Sequence, residues 1–279
     1  MKKRTIYTIL IACIASLMSV FATFIILDTS ETPSTYDTYE IESIVLQETR
    51  ELIVKKPRNY TNEKQYPVVY VLGGNSLTYT IAADADLLSR VGNIPEVIVV
   101  GIPSIDQKTR QRDLTPPFLK QDLDETNSPL GKADSFLEYL ESEVISLVEK
   151  NYNTNNQRTI VGHSREGLLV LYSLTVKPNL FNTRIALSPA LWREENAFVK
   201  KLDDFLKDNP TLSSNLFMSM GEDEVDKMKT AFDLSINLLD KKAPANLIWK
   251  SYYMPKATHQ TNHYLTAGIG VNYFFHDTK

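Results

Sequence analysis

From residue 39 onward, the apolar positions of the chain follow two alternating patterns. Short uninterrupted runs rich in β-branched residues, "YPVVYVLGG" at Tyr66 to Gly74 and "EVIVVGI" at Glu96 to Ile102, read as strands buried on both faces. "YEIESIVL" and "RELIVKKP" precede them as two consecutive strands. Later strands are expected in the run ending at Gly162, at Thr183 to Leu187, and in "NLFMSMG" and "NLIWKSYYM". Between the runs the period changes. "ADSFLEYLESEVISLVEKNY" gathers Phe136, Leu137, Leu140, Val144, Leu147 and Val148 on one helical face with polar residues opposite. Helices are likewise expected after Ser164, in "DKMKTAFDLSINLLD" and in "LTAGIGVNYFF". Strand and helix alternating over about 240 residues predict one α/β domain, a mainly parallel central sheet with helices on both faces.

The first 38 residues break this pattern. Lys2, Lys3 and Arg4 precede an uncharged apolar stretch from Ile6 to Leu27, about 22 residues, enough to cross a bilayer as a helix. Positive charge on its amino-terminal side directs the following domain away from the cytoplasm. "VFA" at Val20 to Ala22 offers a cleavage site, but "FIIL" prolongs the apolar run beyond it. An uncleaved signal-anchor over residues 1–27 is therefore preferred to a signal peptide, whose removal would leave a secreted or periplasmic protein. Residues 28–38, polar with Ser, Thr and Pro, read as a linker, and 39–279 as the folded domain. Composition narrows the class. The domain has a core to bury, with 43% hydrophobic residues overall, and 30 basic against 34 acidic residues argue against a nucleic-acid surface. The single cysteine, Cys13, lies in the apolar segment and excludes an internal disulfide.

In parallel sheets, reactive groups collect beyond the carboxyl ends of strands. Three segments meet that condition: Ser164 in "TIVGHSREGLLVLYSL", the acidic "GEDE" at Gly221 to Glu224, and His259. Serine, acid, histidine is the chain order of α/β hydrolases. A serine hydroxyl is a poor nucleophile until an imidazole takes its proton, and a carboxylate orients that imidazole. Ser164 is thus the candidate nucleophile and His259 the base. Glu224 ranks ahead of Asp223 as the acid, with Glu222 also available. The backbone N–H of Arg165, with one from "GGNS" near Gly74 and Asn75, is expected to form an oxyanion hole. The chemistry implies no metal and no organic cofactor, and a small-molecule ester as substrate. One position departs from the G-x-S-x-G elbow: Glu166 stands where a small residue is expected, and Gly167 follows one place late.

"YPVVYVLGGNS", "PEVIVVGIPSIDQKTRQRDLTPP", "GKADSFLEYLESEVISLVEKNY", "RTIVGHSREGLL", "RIALSPALW", "FMSMGEDE" and "ATHQTNHY" together resemble the putative esterase family of α/β hydrolases. This family includes the enterochelin and bacillibactin esterases, S-formylglutathione hydrolase, feruloyl esterases and mycolyltransferases. The resemblance covers nearly everything after residue 39 and is strongest toward the siderophore-esterase-like branch. It implies an ester hydrolase with Ser164 as nucleophile, His259 as base and a glutamate such as Glu224 as acid. It also implies a substrate pocket touched by His163 and Trp192, with Arg110 and Arg112 either meeting an anionic or catecholate substrate or lying at a solvated surface. Members usually read G-H-S-x-G-G, so Glu166 must either find an exit to solvent or sit near the catalytic groups. An impaired hydrolase serving as an extracytoplasmic binding module and an acyltransferase are the alternative readings.

Overall fold

A computed structural model describes residues 36–276. The expected apolar anchor and most of the linker lie outside the described residues. Among the described residues, no helix is long and apolar enough to cross a membrane.

Eight strands form a single sheet: β1 (Asp37–Ser43), β2 (Glu48–Lys55), β3 (Tyr66–Leu72), β4 (Ile98–Ile102), β5 (Thr154–His163), β6 (Thr183–Leu187), β7 (Ser214–Gly221) and β8 (Leu247–Met254). Their spatial order is β1-β2-β4-β3-β5-β6-β7-β8. The β1–β2 hairpin pairs antiparallel, and β2 meets β4 antiparallel. From β4 onward every pairing is parallel. β3 has no exposed residue, because its two sets of side chains enter two different cores. Val68, Tyr70 and Leu72 join one cluster, Val69 and Val71 the other. This is why the run is continuously apolar rather than alternating. β1, at the edge, alternates between exposed and partly buried positions instead.

The helices are α1 (Asn75–Arg90), α2 (Gln107–Asp113), α3 (Ala133–Tyr139), α4 (Ser146–Asn151), α5 (Arg165–Val176), α6 (Arg193–Asp208), α7 (Asp226–Lys242) and α8 (Asn262–His276). One sheet face carries α1 and α8, which contribute Leu77, Ile81, Ala267 and Val271 to the smaller core. The other carries α3 to α7, packed through residues such as Phe136, Leu169, Phe198 and Phe232.

Three details differ from the sequence reading. The strand expected in "YEIESIVL" stops at Ser43, since the chain must reverse there. Ile44 is 87% exposed, and the N–H groups of Ile44 and Val45 donate to the Glu143 carboxylate at 2.9 and 3.0 Å. The long helix from residue 133 contains a π-helical turn at Leu140–Ile145. The wider turn brings Ile145 into the core and leaves Leu147 only partly buried. Finally, α1, α2 and α6 are not among the helices that periodicity predicts. In α6 the signal was present, with Phe198, Leu202 and Leu206 buried at every fourth position.

Candidate active site

β5 ends at His163, and α5 begins at Arg165. Ser164, between them, is held at φ 60°, ψ −113°, a region that costs about 1–3 kcal/mol for a residue other than glycine unless neighbours over-determine it. They do so here. Its N–H donates to the Leu187 carbonyl at 2.9 Å, and its own carbonyl accepts from Leu168 and Ala190, both at 3.0 Å. A Cβ on Gly162 would lie 2.6 Å from the backbone carbon of Glu166, so only glycine lets the strand end and the helix start pack at this distance. Gly167, one place later than the motif predicts, fills the contact with the end of β6: a Cβ there would be 3.1 Å from the Leu187 carbonyl oxygen.

The turn aims the Ser164 hydroxyl at His259, whose Nε2 lies 3.0 Å from Oγ. The other ring nitrogen, Nδ1, is 2.9 Å from Oε2 of Glu224. Ser164 follows β5, Glu224 follows β7 and His259 follows β8, so three crossovers bring together residues far apart in sequence. The Glu224 side chain is wholly buried. Its Oε1 accepts from the Gly221 N–H at 2.9 Å and from the Ser188 hydroxyl. Burial pushes its pKa up, but the hydrogen bonds from His259, Ser188 and Gly221 outweigh burial and hold it below the usual value. Glu222 and Asp223 are exposed.

Behind Glu224 lies a polar layer that sequence reading missed. Asn262 Nδ2 donates to Ser188 Oγ at 2.8 Å and to Ser219 Oγ at 3.0 Å. Ser219 in turn meets Thr266 Oγ1 at 2.8 Å. Ser188, Ser219, Asn262 and Thr266 are all buried. The strand-end rule that singled out Ser164 points to Ser188 too, one residue beyond β6.

His163, expected to line the site, stacks between two other imidazoles. Its ring centroid is 4.6 Å from that of His259 and 3.9 Å from that of His263. Burial, then the neighbouring His263 and His259, lower the His163 pKa to about 2. Burial lowers His263 as well. Both rings are therefore neutral at ordinary pH.

The backbone N–H of Arg165 is the first of α5, and that of Asn75 the first of α1, with Gly74 as the preceding cap. Such leading N–H groups have no partner within their own helix and lie at its positive end. Gly74 and Asn75 are exposed. Arg165's side chain turns elsewhere, donating to Thr115 Oγ1 at 2.6 Å and the Gln121 carbonyl at 2.8 Å.

Glu166 does not exit to solvent: it is 4% exposed. Arg110 from α2 meets it with both prongs, Nε to Oε1 at 2.6 Å and Nη2 to Oε2 at 2.5 Å. Arg110 thus binds an internal carboxylate. Arg112, expected with it either as a substrate contact or at a solvated surface, holds Glu48 on β2 (Nη2 to Oε1 at 2.5 Å) and its neighbour Asp113 (Nε to Oδ1 at 2.6 Å). Asp113 is also paired to the buried Arg50. Arg112 is therefore part of the brace between α2 and β2. Trp192, beyond β6, is half-buried, with the Lys227 ammonium 3.8 Å above its ring. Among the described residues, no cluster of three or more His, Cys, Asp or Glu side chains is arranged to hold a metal.

A mainly parallel sheet with serine, histidine and glutamate converging from three strand ends defines an α/β hydrolase fold with a triad geometry. The chain belongs to the "Putative esterase" family, whose model matches residues 43–260. It is 32% identical over 191 residues to the ferri-bacillibactin esterase BesA of Bacillus subtilis (strain 168), covering 62% of this chain and 65% of that protein. It is 28% identical over 158 residues to the siderophore triacetylfusarinine C esterase of Aspergillus fumigatus, covering 50% of this chain and 52% of that one. These matches span from about half to just under two thirds of the relatives' own length. Among solved structures, an IroE-like serine hydrolase from Shewanella oneidensis superposes with a TM-score of 0.78 at 28% identity, covering 87% of this chain and 81% of the other. The BES protein from Bacillus cereus shares the fold, with a TM-score of 0.76 at 22% identity over 88% and 97% of the two chains.

Proposed function

We propose that this protein is a serine esterase that cleaves carboxylic esters through an acyl-enzyme on Ser164. The observation that carries the reading is the continuous relay from Ser164 Oγ through His259 to Glu224, at 3.0 and 2.9 Å. In the forward half-reaction, Ser164 Oγ attacks the ester carbonyl while His259 Nε2 takes its proton. The tetrahedral oxyanion is stabilised by the N–H of Arg165 and an N–H from the Gly74–Asn75 turn. The carbon–oxygen bond to the alcohol then breaks, and the imidazolium returns the proton to the departing alkoxide. Water repeats the sequence against the acyl group, releasing the acid and restoring the serine. Glu224 keeps Nδ1 protonated and stabilises the imidazolium.

The substrate class is proposed from kinship: relatives named as esterases of ferri-bacillibactin and triacetylfusarinine C support siderophore esters. His163, whose ring lies against that of His259, and the half-buried Trp192 beyond β6 are the proposed substrate contacts. The basic and then apolar sequence over residues 2–27 supports an extracytoplasmic, membrane-tethered placement.

The test is burst-phase hydrolysis of p-nitrophenyl acetate and butyrate by the full-length chain. Ser164→Ala is expected to abolish the burst and lower kcat by at least about 10³-fold. Retention of wild-type turnover by that variant would remove the assignment. Hydrolysis of ferri-bacillibactin and of triacetylfusarinine C, followed by chromatography of the products, tests the substrate class; no turnover of either would remove it.

A further inference from the structure

The elbow of this chain carries a charge that its motif does not call for. Glu166 is the second residue of α5, directly after Arg165 in the chain, and is buried. On its other side lies the loop after β3: Gly73 adopts φ 101°, and a Cβ there would be 3.3 Å from Glu166 Oε1. The carboxylate therefore lies against the Gly73 loop, next to the Gly74–Asn75 turn proposed to receive the oxyanion, and belongs to the residue that follows Arg165. A negative charge in that position opposes the negative charge that develops on the acyl oxygen.

Arg110 answers it. α2 is a short helix, fixed at its start by a reciprocal cap in which Thr109 N–H donates to Asp106 Oδ1 at 2.7 Å and Asp106 N–H donates to Thr109 Oγ1 at 3.0 Å. The next residue, Arg110, sends two parallel N–H groups to the two oxygens of Glu166. This fork geometry is available to arginine and not to lysine. Resting on the esterase reading of Ser164, we propose that Arg110 is a positioning residue that acts through Glu166. It neutralises the buried carboxylate and holds it against the Gly73 loop, so that the charge of Glu166 does not slow acyl transfer. On this proposal Arg110 is withdrawn from direct substrate binding, and its loss is harmful only while Glu166 is charged.

The experiment is a double-mutant cycle on the full-length chain, with kcat and KM for p-nitrophenyl butyrate measured in wild type, Arg110→Met, Glu166→Gln, the double variant and Ser164→Ala. Arg110→Met is expected to lower kcat about 10- to 100-fold, with KM changed by less than about threefold. The double variant is expected to return kcat to within about threefold of wild type. Glu166→Gln alone should keep kcat within about threefold of wild type or raise it. A double variant as slow as Arg110→Met overturns the proposal, as does an Arg110→Met enzyme of normal kcat or one whose defect lies in KM. If Arg110→Met does not fold, judged by its thermal transition, Glu166→Gln decides: a fall in kcat of about tenfold or more would sink the idea. Ser164→Ala separates the two levels. An active serine variant removes the esterase reading itself, whereas an inactive one beside a failed cycle removes only the role of the pair.

Discussion

At the scale of single residues, three adjacent carboxylates follow β7, and only geometry distinguishes them. Glu224 turns inward because the chain bends after Gly221, whose N–H donates to the Glu224 carboxylate at 2.9 Å. Its neighbours Glu222 and Asp223 face solvent. Glu224→Gln is therefore expected to lower kcat by about 10²- to 10⁴-fold, because an amide neither fixes the His259 tautomer nor stabilises the imidazolium. Asp223→Asn should stay within about twofold, as an exposed charge acts weakly through solvent. Steady-state kinetics of the two variants checks both expectations, and a larger loss in Asp223→Asn would reverse the assignment. The sequence already named the "GEDE" segment, its position after a strand and the preference for Glu224. It could not settle the choice, since a carboxylate cluster before a helix is also an ordinary helix start.

Among elements, β5, the Ser164 turn and α5 act as a unit whose tolerance is set by Gly162. An added Cβ would lie 2.6 to 2.7 Å from backbone and Cβ atoms of Glu166, which no side-chain rotation relieves. Gly162→Ala is expected to destabilise the fold by about 1–3 kcal/mol and to displace the serine. A thermal melt and a burst-phase assay of the same sample test this: a variant of unchanged melting temperature and full burst would show that the packing is looser than described. The strands were legible because buried and half-buried strands write different apolar patterns. The turn after Ser43 was not, since "SIVL" is as apolar as a strand while Ile44 is exposed. The π-helical turn at Leu140–Ile145 was equally hidden. It changes which residues face the core without interrupting the helix.

The whole molecule should be acid-sensitive at a higher pH than its carboxylates alone suggest. His163, lowered from 6.5 to about 2 chiefly by burial, and His263, lowered for the same first reason, stay neutral in the folded state. Once unfolded, both take up a proton near pH 6.5, so the unfolded chain binds more protons and stability falls as pH drops below that value. For His163 the slope is about 1.4 kcal/mol per pH unit. Glu224, with a depressed folded pKa, has the opposite chemistry but the same consequence lower down. Its stabilising contribution is present above its usual value of 4.5 and disappears as pH falls through the lower folded value. Urea unfolding at pH 7.5, 6.0 and 5.0 should show the decline, and His163→Gln should make it shallower between pH 6.5 and 5.0. An unfolding free energy that is flat over that range in wild type would contradict this account.

The alternation of strand and helix, the chain order of Ser164, the acidic segment and His259, and the glycine before the strained elbow are all legible in the residue order. Each is written locally, in periodicity, residue type and position after a strand. Where the charges end up is fixed by the folded chain alone. Arg110 and Glu166 are 56 positions apart, Glu224 and His259 are 35 apart and Ser164 and His259 are 95 apart. No local pattern encodes such distances, because they follow from which strand lies next to which and from how each crossover returns to the sheet. For the same reason Arg110 and Arg112, two residues apart and alike in sequence, part company: one pairs with Glu166 in the elbow, and the other with Glu48 on β2.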